Sequence, residues 1–103
     1  MAASTITSER VEHELKIAFL MLEELDDNAE LWEQMPDWEQ VDWSLEWEQF
    51  LNFLDHILDA AYKNNQMTPD QQVKYHELIR QIKERMPIIE RLRLTKPRVS
   101  VKT

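Results

Sequence analysis

Three histidines are the first side chains of this 103-residue chain to examine for catalysis or metal binding. They are His13, His56 and His76. None has a glutamate three residues before it, so the Glu-x-x-His pattern of di-iron bundles is absent. The His-Glu-x-x-His pattern of zinc proteases is absent as well. We therefore expect surface histidines, no metal site and no cofactor.

Paired carboxylates are the second candidate for chemistry. Asp55 and Asp59 are one helical turn apart, a spacing that suits a hard cation or acid–base catalysis. At a helical period both fall on a polar face with His56 and Lys63, so we expect both to face solvent. Such pairs are common in a chain with 20 acidic residues. The sequence predicts no catalytic residues and a protein that is not an enzyme.

The composition excludes several classes of protein. Without cysteine, disulfides and thiolate metal sites are impossible. Without glycine, the chain lacks every Gly-rich phosphate loop. No apolar run approaches the roughly 20 residues that span a bilayer, and the N-terminus lacks the pattern of a secretory signal. We expect a cytoplasmic protein with no membrane segment.

An acidic segment rich in tryptophan is the most unusual feature. Trp-Glu-Gln occurs three times, beginning at Trp32, Trp38 and Trp47, and residues 23–48 contain 11 acids without Lys or Arg. One interpretation is that Trp43 and Trp47 are core while Trp32 and Trp38 cover the end of the fold. The other is that an exposed tryptophan anchors a basic partner, since tryptophan is enriched at interface hot spots. The candidate partner-binding residues here are Trp32, Glu33, Asp37, Trp38 and Glu39.

A second apolar patch lies on the first helix. Ile17, Leu20 and Met21 share helical spacing but do not belong to the core stripe of that helix. Another segment of the same chain would cover them, or they would form a contact with a partner or a second copy. We therefore also expect a homo-oligomer.

The basic end of the chain offers an alternative function. Residues 1–65 have a net charge of −13, whereas residues 66–103 have +5. The cations between 83 and 102 could bind nucleic acid or another anionic surface, with Arg91, Arg93, Lys96 and Arg98 as the site. The pI near 4.8 disfavours nucleic acid. These cations would otherwise neutralise the acidic half or extend a solvated tail.

Helical periodicity predicts the elements that position these residues. The strongest stripe runs through residues 43–61 and defines a central helix that begins near Asp42 or Ser44. A first helix begins at Thr7 or Ser8 and ends near Asp26, where residues 26–28 form a weak break. Residues 29–35 can still be helical, either as a continuation or as a separate short turn. A capping box from Thr68 to Gln71 begins a third helix, which either kinks or restarts at Pro87.

The predicted fold is all-α, a small antiparallel bundle of three long helices plus a short helical or irregular segment near 28–43. Residues 1–7 are predicted as a flexible arm, 8–94 as the domain and 95–103 as a basic tail. The predicted core consists of Val11, Leu15, Leu22, Leu25, Trp47, Phe50, Leu54, Ile57, Tyr75, Ile79, Ile82 and Met86. The predicted function is a non-enzymatic adaptor or regulatory domain that binds a basic protein surface, with imitation of nucleic acid as a variant.

Overall fold

The computed structural model describes residues 7–97, and in this range the chain forms helices and turns without strands. The predicted all-α class is confirmed. The elements are α1 (Ser8–Leu31), a 3-10 turn (Trp32–Gln34), α2 (Asp37–Phe53), a π-helical segment (Leu54–Asp59), α3 (Ala60–Lys63), α4 (Pro69–Glu84) and α5 (Met86–Arg91). The predicted flexible arm, apart from Thr7, and the last six residues of the predicted tail lie outside the described residues.

Three helix boundaries agree with the sequence. The Thr7 hydroxyl accepts a hydrogen bond from the Arg10 backbone N–H and caps α1. The capping box of α4 is complete, because Gln71 N–H donates to the Thr68 hydroxyl while the Gln71 side chain accepts from Thr68 N–H. Asn65 has a φ of 58° just beyond α3, where a glycine would be usual. Local side-chain chemistry is sufficient to set all three.

At two other boundaries the structure decides for the longer helix: for α1 it shows the continuation that the sequence left open, and for α2 the predicted start was wrong. α1 does not end near Asp26 but continues to Leu31, and α2 begins at Asp37 rather than near Asp42 or Ser44. Residues 28–43 are therefore shared between α1, the 3-10 turn and the first turns of α2. Met35 and Pro36 form the extended break, with ψ values of 138° and 155°, and direct the chain into α2.

Side-chain contacts define how the long helices lie. Gln71 at the start of α4 donates to Ser8 at the start of α1, and Arg85 just after α4 binds Asp26 near the end of α1. The two helices therefore run side by side in the same direction. Between α1 and α4 in the sequence, α2, the π-helical segment and α3 follow one another as a single helical rod, along which the chain returns. Near the beginning of this rod, Trp43 donates a hydrogen bond to Glu24 of α1.

The core follows the predicted stripe through Leu54, Leu58 and Ala61, and departs from it at Ile57 and Asp59. Leu58 and Asp59 are buried, whereas Ile57 is only partly buried, contrary to its prediction as core. The reason is the π-helical segment, whose wider turn contains an extra residue and shifts the phase of the side chains that follow. Met86 is also only partly buried, although it packs against the core.

This phase shift predicts unequal costs for two neighbouring substitutions. Leu58→Ala should reduce the free energy of unfolding by about 2–5 kcal/mol, because Leu58 is buried in the core. Ile57→Ala should cost less than half as much, because Ile57 retains solvent contact. Urea unfolding of both variants, followed by circular dichroism, measures the difference. A larger loss for Ile57→Ala would mean that the rod keeps a regular α-helical phase.

The chain stops and restarts at the end of α4. Arg85 separates α4 from α5, and Pro87 occupies the first turn of α5, where its missing N–H is tolerated. After α5, Arg93 adopts a φ of 61° and Leu94 N–H donates to the Ile89 carbonyl. This turn buries Leu94 and places the Thr95 carbonyl 2.8 Å from Trp47 Nε1. Thr95, assigned from the sequence to the tail, therefore contacts the helices.

Candidate partner-binding surface

The four tryptophans have three different environments. Trp43 and Trp47 are buried and stacked, with ring centroids 5.8 Å apart, and Phe50 continues the column 5.3 Å from Trp47. Trp32 is partly buried and meets Trp43 edge-on at 6.5 Å. Trp38 is 71% exposed. The structure thus separates Trp32 from Trp38, which the sequence had treated alike.

Trp32 lines a groove of about 710 Å³ between the end of α1 and α5. The groove is lined by Asp26, Ala29, Glu30, Trp32, Glu33, Ile88, Arg91 and Leu92. The Gln40 side chain donates to the Trp32 carbonyl and holds the 3-10 turn against α2. Glu33 and Arg91, assigned from the sequence to different sites, therefore line the same groove.

Trp38 is the first member of an apolar strip on the outside of α2. Val41 is 59% exposed and Leu45 is 60% exposed, and both share the helical phase of Trp38. At about 100° per residue these three side chains point away from the buried face that contains Trp43 and Trp47. Val41 and Leu45 were not among the predicted site residues, although their spacing from Trp38 was the signal that identifies them.

Carboxylates flank this exposed strip, Trp38, Val41 and Leu45, on both sides. At the same angular spacing Asp42 and Glu46 fall on one side and Asp37 on the other. All three are exposed, and none forms an ion pair within residues 7–97. Asp37 and Glu39 also lie in the first turn of α2, where a negative charge favours the helix dipole. Asp37 and Glu39 therefore stabilise the start of α2, in addition to their candidate role in binding a partner.

The apolar patch predicted on α1 is largely covered by the chain itself. Met21 packs against the core, Ile17 is partly buried, and only Leu20, at 51%, is exposed. Because Ile17 and Met21 are partly buried, Leu20 is the most exposed member of the patch. The role of these three residues in a contact with a partner or a second copy stays a prediction.

Cations of the basic half bind carbonyls and carboxylates of the same chain. Arg85 forms a two-pronged contact with Asp26, at 2.9 and 2.7 Å. Arg91 donates to the Ala29 carbonyl at 3.2 Å, and Lys96 lies 3.2 Å from Glu90. Arg93 is exposed, and Arg98 lies outside the described residues. Among these contacts only the pair of Arg85 and Asp26 neutralises an acid of the acidic half, since Glu90 belongs to the basic half and the Ala29 carbonyl has no net charge.

The start of α4 shows the same compensation. Lys74 lies 2.5 Å from Glu12 of α1, and the Gln71 side chain donates to the same carboxylate. These hydrogen bonds, that of Lys74 first, lower the pKa of Glu12 below its ordinary value. Cations therefore pair with α1 at both ends of α4, whereas no acid of α2 forms an ion pair with a described residue.

Asp59 corrects the expectation that both members of the Asp55–Asp59 pair face solvent. Asp55 is exposed, but Asp59 is 3% exposed because the π-helical segment turns it towards α4. The Tyr75 hydroxyl donates to Asp59 Oδ1 at 3.0 Å, and Lys63 Nζ lies 2.9 Å from Oδ2. The carboxylate is thus fully partnered inside the fold, and the two acids do not form a joint site.

The burial of Tyr75 predicts a loss of stability at alkaline pH. Burial, and then the negative charge of Asp59, raise the pKa of Tyr75 far above its ordinary value of 10.0. Its stabilising effect is therefore complete below about pH 10 and declines as pH rises further, because only the unfolded chain ionises there. In a Tyr62→Phe variant, which leaves Tyr75 as the sole tyrosine, phenolate absorbance should appear only on unfolding. Ionisation of Tyr75 near pH 10 in the folded protein would contradict its burial.

All three histidines lie at the surface. His13 and His56 are exposed, and His56 borders a second cavity of about 360 Å³ beside Thr95. His76 is exposed, with its Nε2 2.9 Å from the Tyr62 hydroxyl. Across the described part of the chain, no three side chains of the types that ligate metals are grouped around a common point. In the same range, no helix has the length and apolar character needed to cross a bilayer.

Comparison with known proteins identified no relative of this chain. No protein-family model, no curated protein and no solved structure matches the chain.

Proposed function

We propose that this chain is a non-enzymatic interaction domain that binds a basic protein surface through the exposed strip and its flanking carboxylates. The observation that carries the proposal is the exposure of Trp38 on a helix that contains five acids and no Lys or Arg. An exposed tryptophan offers a large apolar contact and the best aromatic face for a cation. The carboxylates around it would attract and orient a positively charged partner.

Self-association is the other expectation from the sequence. A contact between copies through Ile17, Leu20 and Met21 would depend mainly on Leu20, since the other two are partly covered. A basic partner is the better supported occupant because it would complement the charge of α2. The alternative site at Arg91, Arg93, Lys96 and Arg98 is less supported, because Arg91 and Lys96 already contact acceptors of the chain itself.

Neutralising the acids should weaken the proposed association. The variant Asp37→Asn, Asp42→Asn, Glu46→Gln should retain less of a basic partner than the wild type, and the salt dependence of retention should flatten. The measurement is capture from a nuclease-treated lysate of the source organism on the immobilised chain, with elution by increasing salt and identification by mass spectrometry. Trp38→Ala should also lower retention while changing the free energy of unfolding by no more than about 0.5 kcal/mol.

A matched control separates binding from helix stability. Glu9→Gln, Glu23→Gln, Asp70→Asn removes the same charge, and Glu9 and Asp70 also lie in the first turns of their helices. This control variant should retain the partner. Retention that survives the test variant unchanged would overturn the proposal. Retention that disappears with nuclease would instead favour the basic end.

A further inference from the structure

The exposed strip is narrow and follows the axis of α2. Trp38, Val41 and Leu45 occur at spacings of three and four residues, and Gln49 and Asn52 extend the same phase. At a rise of about 1.5 Å per residue, the strip proper spans roughly 10 Å and its polar extension brings it to about 20 Å. Such a ridge is the surface that a second helix covers when helices pack side by side.

We propose that the partner presents an amphipathic helix with Lys or Arg on both sides of its apolar face. The apolar face would cover Trp38, Val41 and Leu45, and the cations would reach Asp42 and Glu46 on one side and Asp37 on the other. Recognition of an amphipathic helix through anchors spaced three and four residues apart is a recurring mode of peptide binding. This inference rests on the proposed function and adds the structure and charge pattern of the partner.

Charge decides against α2 of a second copy as the occupant. Residues 37–53 contain Asp37, Glu39, Asp42, Glu46 and Glu48 without a single cation. Pairing α2 with α2 of another copy would bring these carboxylates together, and such juxtaposition of like charges opposes association. A helix flanked by Lys and Arg makes the opposite contact at the same positions. The same negative charge excludes nucleic acid from this surface.

The experiment uses a defined peptide probe and the whole chain. The probe is a fluorescently labelled, amidated peptide of Leu, Lys and Ala, with Leu at helical spacing on one face and Lys on both flanks. A scrambled peptide of the same composition has the same charge but no apolar face. Fluorescence anisotropy measures the affinity of each, and circular dichroism reports the helix gained on binding. We expect the amphipathic peptide to bind at least about tenfold more tightly than the scrambled one.

Variants on the surface locate the binding. Val41→Ser with Leu45→Ser should weaken binding of the amphipathic peptide by about tenfold or more. Asp42→Asn with Glu46→Gln should weaken it and reduce its salt dependence. Two control variants alter exposed residues elsewhere: the single variant Val73→Ser, and the double variant Glu9→Gln with Glu23→Gln. Both should bind the peptide as the wild type does. All of these positions are exposed, so melting curves should show that every variant folds.

Each other result has a distinct meaning. Equal binding of both peptides would overturn the helix inference and leave the acidic surface of the proposed function in place. Failure of both peptides to bind, or an unchanged affinity after Val41→Ser with Leu45→Ser, would also overturn the inference. Sedimentation equilibrium has one further contrary outcome, in which the wild type forms dimers and Val41→Ser with Leu45→Ser abolishes them. That result would make a second copy the occupant of the strip and would overturn the inference.

Discussion

Trp47→Ala is expected to reduce the free energy of unfolding by about 3–5 kcal/mol. Trp47 is fully buried, its ring contacts Trp43 and Phe50, and its Nε1 donates to the Thr95 carbonyl. The substitution removes the centre of the aromatic column and releases the turn that follows α5. Small domains are typically stable by only about 5–15 kcal/mol, so this single change removes a large fraction of the total.

Urea unfolding followed by circular dichroism measures this loss without depending on tryptophan fluorescence. Trp38→Ala is the matched control, because it removes the same side chain from an exposed position and should change stability by about 0.5 kcal/mol or less. Amide hydrogen exchange should also accelerate at Leu94 in the Trp47→Ala variant, since the turn loses its anchor. A cost below about 1 kcal/mol would contradict the central position of Trp47.

The second large effect concerns the buried pair of Asp59 and Tyr75. Tyr75→Phe should cost about 1.5–3 kcal/mol, because it removes a hydrogen bond to a buried carboxylate. Asp59→Ala should cost at least as much, because it leaves the buried Tyr75 hydroxyl without its acceptor and removes the ion pair with Lys63. The two losses should not add in the double variant, since one hydrogen bond contributes to both.

Asp55→Ala provides the control for this pair. Asp55 lies one turn earlier on the same rod and is exposed, so its removal should change the free energy of unfolding by about 0.5 kcal/mol or less. Equilibrium unfolding at neutral pH compares the single variants and completes the double-mutant cycle. If Asp59→Ala and Asp55→Ala cost the same small amount, Asp59 faces solvent and the π-helical segment does not turn it inward.

A functional consequence follows from how the charges are distributed. Arg85 and Lys74 pair with Asp26 and Glu12, so the basic half neutralises two of the eight acids of α1. α2 has no such neighbour at Asp37, Asp42 or Glu46 among the described residues. The acidic surface proposed for binding is thus smaller than the sequence suggested and confined to the outside of one helix.

The sequence by itself determined the features that depend on near neighbours in the chain. Helical periodicity predicted the all-α class and the buried stripe through Trp47, Phe50 and Leu54. The capping box at Thr68 and the left-handed Asn65 follow from the chemistry of a few adjacent residues. These features require no knowledge of what lies opposite each helix.

Tertiary structure decided the features that depend on contacts between distant residues. The π-helical segment buries Asp59 in place of Ile57, and Asp59 accepts a hydrogen bond from Tyr75 of α4. Helical periodicity does not reveal this contact between distant residues. Trp32 and Trp38 begin identical tripeptides, yet only Trp32 reaches Trp43, because the 3-10 turn and α2 place them on different surfaces. The spacing of Trp38, Val41 and Leu45 is visible in the sequence, but their exposure is decided by the tertiary structure, in which no helix of residues 7–97 covers them.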